Sequence, residues 1–339
     1  MKTIQDRVRR DTVTIVGSGL SCAEGLPGMA ALEKHLRDNV KPAEERDEGA
    51  WEQVLRDLKK NVGLEKALDQ IADRPSLVET SVQLTASFIR EAERLALNEV
   101  LAGKRKLKFG ELVPHIATSG TTHIVTTNYD RLVEAALELA GVFVDCGCPG
   151  SFISSHDFSK SALEQFVLGR STIKASEVKG QMRHHAVVYK PHGSLDWLRL
   201  DGVPKRVAFD HDMMPLMITP GAHKYREGYE RPFEEHRTRA NIVIKRASSL
   251  MFLGYGFNDD HLEVEIRDSF RRSVPAIVLA RTLSSNAKLL LATNSAAIAL
   301  EAGKVDEVEG TNFHKSGSVE FLAGKHWWDV EALVNEVMK

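Results

Sequence analysis

Cysteine, long apolar runs and a charge excess of either sign are all scarce in this sequence of 339 residues. No stretch approaches the roughly 18–20 consecutive apolar residues of a membrane-crossing helix. Charges interrupt the N-terminal MKTIQDRVRRDTVTIV before the core of a signal peptide can form. The formal net charge of −2 gives the whole molecule no pull toward nucleic acid or an anionic membrane. Three cysteines, Cys22, Cys146 and Cys148, cannot build an extracellular disulfide framework and suit a reducing compartment. A soluble, cytoplasmic protein is expected, with no direct contact to nucleic acid or membrane.

What is present is ordinary for a globular chain: 42% hydrophobic and 27% charged residues. The length allows one large α/β domain with insertions, or two smaller domains. The densest basic patch is Lys104, Arg105, Lys106 and Lys108, expected as a solvated connection after a helix.

Short apolar runs rich in β-branched residues recur at Val13–Val16, His123–Thr126, Ala186–Tyr189 and Ser249–Leu253. Leu216–Thr219 and Ala276–Ala280 read the same way. Runs that are apolar throughout, instead of alternating, predict strands covered on both faces of a parallel sheet. Their alternation with helical patterns predicts a Rossmann-like, doubly wound α/β fold with its ligand crevice at the carboxyl ends of the strands. Between the first two strands lie too many residues for one crossover. Trp51, Val54, Leu55 and Leu58, and again Phe88, Ala92, Leu95 and Glu99, have helical spacing. An inserted helical module over 30–115 is therefore expected within a single domain spanning 1–339. A second, irregular insertion is expected over 146–185 and a C-terminal extension over 283–339. In that extension Ala287–Ala297 suggests a helix, Ser318–Leu322 a strand and Trp328–Met338 a closing amphipathic helix.

Four segments carry chemistry. The first strand runs into Gly17-Ser18-Gly19-Leu20-Ser21-Cys22-Ala23-Glu24-Gly25-Leu26-Pro27. Glycines there permit a tight turn and let backbone N–H groups approach a pyrophosphate, or they only make a connection. Cys22 stands where a dehydrogenase fingerprint has its third glycine, and no acid-ended second strand follows, so an ordinary oxidoreductase is disfavoured. The second segment, Thr126-Thr127-Asn128-Tyr129-Asp130, ends another strand; Asn128 or Asp130 could face a ligand or cap the next helix. The third is Lys190-Pro191-His192-Gly193-Ser194. His192 is of a residue type that suits a general base, although among 13 histidines a lone buried one is more often structural. The fourth is Gly254-Tyr255-Gly256-Phe257-Asn258-Asp259, a turn whose Asn258 or Asp259 could be no more than an N-cap.

Weak singly, these four segments in this order resemble the sirtuin-like (Sir2-like) family, and within it the bacterial branch of NAD+-depleting antiphage effectors. The resemblance spans Gly17 to Asp259. It implies NAD+ as substrate, with Asn128 and His192 as the catalytic pair. Gly17, Ser18, Gly19 and Ser21 would hold the phosphates and nearby ribose, and Gly25 and Pro27 would shape the loop over nicotinamide. Thr127 and Asp130 would support the ribose. Gly254, Gly256 and Asn258 would meet the adenosine ribose, with Asp259 stiffening that turn. Deacetylating sirtuins follow G-x-P with Asp-Phe-Arg, where this chain has Gly28-Met29-Ala30, and carry a four-cysteine zinc site that three cysteines cannot supply. No zinc is therefore expected. Both departures favour NAD+ hydrolysis to nicotinamide and ADP-ribose. A protein deacylase and a non-catalytic NAD+ or ADP-ribose sensor stay open as alternatives. The resemblance further implies gating, by homo-oligomerisation or by a hexameric translocase ATPase partner.

Overall fold

A computed structural model describes residues 2–8, 12–118, 120–170, 178–219 and 231–338. Following the chain, β1 (Thr12–Val16), β2 (Thr121–Thr126) and β3 (Phe143–Asp145) come first. β4 (Ile153–Ser155), β5 (Phe166–Arg170), β6 (Val178–Met182), β7 (His185–Tyr189), β8 (Gly193–Leu200), β9 (Val203–Val207) and β10 (Pro215–Met217) fill the middle. The last five are β11 (Ser249–Leu253), β12 (Ala276–Ala280), β13 (Ala297–Val305), β14 (Val308–Lys315) and β15 (Ser318–Ala323).

Nine of them form one sheet in the order β15-β14-β13-β12-β11-β1-β2-β7-β3. All neighbours from β13 to β3 pair parallel, and β14 and β15 add an antiparallel ribbon at one edge. This is the doubly wound Rossmann-like fold. Strands β1, β7, β11 and β12 are buried at every position because helices cover both faces. Val16, Ile124, Met251 and Leu279 face helices Lys108–Ile116 and Leu132–Leu139 and the C-terminal Val330–Leu333. Ile15, Phe252 and Val278 face helices Phe233–Arg246, Asp260–Arg271 and Ser285–Ala292.

Register positions the site. Val16 lies opposite both Leu253 and Thr126, and Val125 opposite Tyr189. The turns after β1, β2, β7 and β11 therefore emerge at one edge. There the chain leaves β1 for β2 on one side and later returns to β11 on the other, which makes the edge a topological switch point.

Helices Met29–Asn39, Glu45–Lys59, Leu64–Leu68 and Pro75–Leu101 fill the stretch between β1 and β2 around a core of their own, including Leu36, Trp51, Val54, Leu58 and Leu77. The stripe Phe88, Ala92, Leu95, Glu99 is not the buried face of the last helix, since Leu95 is 53% exposed. That helix instead turns Glu93 and Ala96 inward, because Arg131 engages the Glu93 carboxylate through its backbone N–H and its guanidinium.

Leu216–Thr219 is a second correction. Its strand, β10, is three residues long and pairs antiparallel with β8 in a separate sheet of order β10-β8-β9-β4. Residues 146–170 and 178–185 carry β4, helix Phe158–Glu164 and the β5–β6 hairpin, more regular than expected; 171–177 of that insertion lie outside the described residues. In the C-terminal stretch the expected helix ends at Ala292, and Ala297 already belongs to β13. Strand β15 and the buried Val330, Leu333, Val334 and Val337 follow the expected pattern. Of the basic patch, Lys104 and Lys106 are exposed after the helix as expected, whereas Arg105 pairs with Glu24 and Glu99 and Lys108 with Asp329.

Candidate active site

The four turns surround a cleft of about 250 Å³, at the small end for a ligand site. Asn128 and His192 both line it, together with Gly17, Ser18, Ser21, Pro27, Thr127, Asp130, Gly256, Asn258 and Asp259. Gly19, Gly25 and Gly254 do not. A Cβ on Gly254, whose φ is +58°, would lie 2.4 Å from the Leu20 N, and one on Gly19 would lie 2.8 Å from the Gly254 Cα. These two glycines let the turns after β1 and β11 touch backbone to backbone. The N–H groups of Gly17 and Gly19 already donate to the carbonyls of Leu253 and Gly254. Both N–H groups are thus engaged within the protein.

Asn128 is held from three sides. Its backbone N–H donates to Thr126 Oγ1 (3.1 Å), and its Nδ2 donates to the Gly17 carbonyl (3.0 Å) and to Ser21 Oγ (2.8 Å). Ser21 in turn donates to Asp130 Oδ2 at 2.7 Å. Both amide hydrogens are used in this chain, so Oδ1, an acceptor, is what Asn128 has to offer a ligand. The capping alternative falls to Asp130, whose Oδ1 accepts from the Leu132 N–H (3.2 Å) at the start of the helix. Asp259 does the same for Leu262.

Burial pushes the Asp130 carboxyl up to about 6, against the opposing pull of the Lys190 charge and the Ser21 hydrogen bond. Lys190 is 1% exposed. Its Nζ donates to the Asp130 carbonyl (2.5 Å) and to Glu134 Oε1 (2.8 Å), and its backbone N–H to His236 Nδ1 (3.1 Å). Burial alone would lower this lysine; Glu134, Asp196 and Asp130 outweigh it and hold the ammonium above its ordinary range.

Across the cleft His192 Nε2 lies 2.6 Å from Asp259 Oδ2. The imidazole is thus oriented through one nitrogen, leaving the other for chemistry, the arrangement of a base backed by a carboxylate. Three supports fix it. The Ile218 N–H donates to the His192 carbonyl (2.9 Å). Tyr129 donates its hydroxyl to the Ile218 carbonyl (2.6 Å). Phe257, buried and left-handed at φ 54°, is locked by rings Phe252 and Tyr255 at 4.7 and 5.1 Å. A bulky residue at positive φ is strained, and here it sits in the turn that presents Asp259.

The cleft is also lined by Leu26, Met29, Leu32 and Ile89, and by Glu65 from the helical stretch. Sequence reasoning missed Glu65, Tyr129 and the Lys190–Glu134 pair. Lysine directly after an apolar strand was a usable signal for the last, because buried lysine requires a partner. The zinc question turns on Cys146 and Cys148. Both are buried, burial pushes the Cys148 thiol up to about 12, and its Sγ is 3.3 Å from His156 Nδ1. Among the described residues no three His, Cys, Asp or Glu converge as metal ligands would. No described helix is long and apolar enough to cross a membrane.

A model described as SIR2-like domain matches residues 122–296, 175 of the chain's 339 residues, and the chain belongs to that family. The match includes Asn128, His192 and the Gly254–Asp259 turn but not the Gly17–Pro27 turn, which the fold brings to the same cleft. No curated protein matches the chain. Among solved structures it is similar to Sir2Tm bound to a propionylated peptide, at 12% identity over 84% of this chain and 88% of that one, with a TM-score of 0.41. A Sir2 histidine mutant with deacetylated p53 peptide and 3′-O-acetyl-ADP-ribose is 11% identical over 100% and 97%, with a TM-score of 0.45. Likeness at this level carries no argument about the chemistry of the chain.

Proposed function

We propose that the cleft binds NAD+ and hydrolyses its nicotinamide–ribose bond, giving nicotinamide, ADP-ribose and a proton. The observation that carries this reading is the convergence of Asn128 and His192 on one cleft at the switch point of a SIR2-like fold. Nicotinamide leaves as a neutral pyridine, so no acid is needed for the leaving group. The ribose becomes oxocarbenium-like, and the carboxylates of Asp130, Asp259 and Glu65 around the cleft favour positive charge there. Asn128 Oδ1 accepts a hydrogen bond from the attacking water or a ribose hydroxyl. His192 takes the proton as the C1′–O bond forms, and Asp259 stabilises the resulting imidazolium. Phosphate contacts fall to Ser18, exposed at the rim of the cleft, because the neighbouring glycine N–H groups are occupied. Chromatography of NAD+ incubated with the chain, with and without acetylated peptide, tests this reading. Release of nicotinamide without peptide is expected; strict dependence on peptide would make the chain a deacylase, and binding without any product a sensor.

By the same reading the chain is an NAD+-depleting antiphage effector, gated by homo-oligomerisation or by a hexameric translocase ATPase. Repeating the assay with and without the product of the neighbouring gene distinguishes the two.

A further inference from the structure

The cleft is not the only hollow among the described residues. A cavity of about 820 Å³ lies beside helix Leu132–Leu139, lined by the Glu134 that holds Lys190. Three of its lining side chains are more than nine-tenths buried and end in oxygens that lack a partner: Glu134 Oε2, Gln165 Oε1 and Asp196 Oδ1, with the residues 6%, 7% and 3% exposed. A buried acceptor left unmatched costs about 1–3 kcal/mol, so these oxygens are a demand for N–H donors. The cations of the cavity do not meet it. Arg206 donates to Asp196 Oδ2 at 2.8 Å, Arg131 to Glu93 at 2.5 Å, and Arg183 Nη2 to the Glu164 carbonyl at 2.9 Å, while Arg183 Nε is itself without an acceptor and so reaches none of these oxygens. Five carboxylates and three guanidiniums line the cavity, so its balance favours a cation. With no convergent set of metal ligands among the described residues, that cation is organic.

We propose that this cavity binds a small organic cation with at least two N–H donors, an amine or guanidinium that satisfies Glu134 Oε2 and Gln165 Oε1. The ligand would also be felt in the cleft. Glu134 Oε1 takes Lys190 Nζ (2.8 Å), Lys190 holds the Asp130 carbonyl (2.5 Å), Asp130 takes the Ser21 hydroxyl (2.7 Å), and Ser21 takes Asn128 Nδ2 (2.8 Å). A charge placed on the second oxygen of Glu134 weakens its hold on Lys190 and loosens this chain at its far end. The site does not depend on which reaction the cleft performs.

Isothermal titration calorimetry of the full chain with agmatine, an amine joined to a guanidinium, tests the site, with inorganic phosphate as the anionic control. Saturable binding of agmatine and none of phosphate is expected. Gln165→Leu, which leaves the Lys190 pair untouched, should weaken binding at least about tenfold, as loss of a hydrogen bond to a charged group does. Glu134→Gln should weaken it further. Absence of saturable agmatine binding, an unchanged affinity in Gln165→Leu, or phosphate binding more tightly than agmatine would overturn the proposal. The Asn128 side-chain amide signals in a ¹⁵N spectrum should move on saturation. Binding that leaves them in place would overturn the link to the cleft.

Discussion

Two polar hollows are linked by Lys190, which bonds Asp130 of one and Glu134 of the other, and they are built in opposite ways. In the cleft, the buried amide, hydroxyl and carboxylates are matched to one another: Asn128 to Gly17 and Ser21, Ser21 to Asp130, His192 to Asp259. The cavity lined by Glu134 ends in oxygens with nothing opposite them. A matched network holds a few atoms at fixed positions, which is what bond cleavage asks of a protein. Unmatched acceptors instead mark a place that a ligand completes. The first kind of site leaves a motif in sequence, because the matching residues sit in the turns that the strands present. The second kind leaves none.

Substitutions in either hollow sharpen or break this contrast. The largest effect is expected from His192→Ala, which should lower the rate of NAD+ cleavage by about two to four decades with no shift in the melting transition; wild-type turnover would remove the base from the account. Next comes Lys190→Met, which removes the link between the two hollows. It leaves Glu134 and Asp130 without their cation and should cost about 3–5 kcal/mol in denaturant unfolding, whereas a loss under about 1 kcal/mol would mean the two hollows are not coupled through it. A paired test follows. Asn128→Leu takes an amide donor from both the Gly17 carbonyl and the Ser21 hydroxyl and should cost about 1–3 kcal/mol, while Gln165→Leu removes an unmatched acceptor and one long hydrogen bond to the Ser161 carbonyl (3.3 Å) and should be within about 1 kcal/mol of wild type. Equal costs would erase the distinction. The smallest effect concerns pH. Burial raises Asp130 from 3.8 to about 6 in the fold, so the folded state prefers the protonated carboxyl. That contribution to stability is complete below the unfolded value and disappears as pH rises through about 6. Asp130→Asn should therefore be less sensitive than wild type to a rise from about pH 4 to pH 7, by an amount on the order of 1–3 kcal/mol. An identical slope in both proteins would place Asp130 in a wetter setting than its burial indicates.

The sheet was legible where its strands are apolar throughout. Ser249–Leu253 and Ala276–Ala280 match β11 and β12 residue for residue, because both faces are covered and no polar alternation blurs them. Strand β3 escaped for shortness, at three residues, and β13 and β14 because their outer halves turn polar at the sheet edge. Asn128 and His192 stood at strand ends as residue types able to meet a ligand, and only the resemblance carried by the four segments together marked them as a pair; Glu65 and the Lys190–Glu134 pair were not picked out. Glu65 reaches the cleft from helices remote in sequence, and no local pattern announces a long-range approach. The glycines are instructive in another way. Their spacing suggested room for phosphate at Gly19 and for the adenosine ribose at Gly254, and the space beside each of these two is occupied by the other's backbone.

The central claim is that an amide oxygen and an imidazole face one glycosidic carbon. A crystal structure of the chain with carba-NAD, whose nicotinamide linkage resists hydrolysis, addresses it most directly. The account predicts the ribose carbon bearing nicotinamide between Asn128 Oδ1 and the ring of His192, with the pyrophosphate near Ser18. Nicotinamide density outside that cleft, or a ribose that touches neither residue, would contradict it.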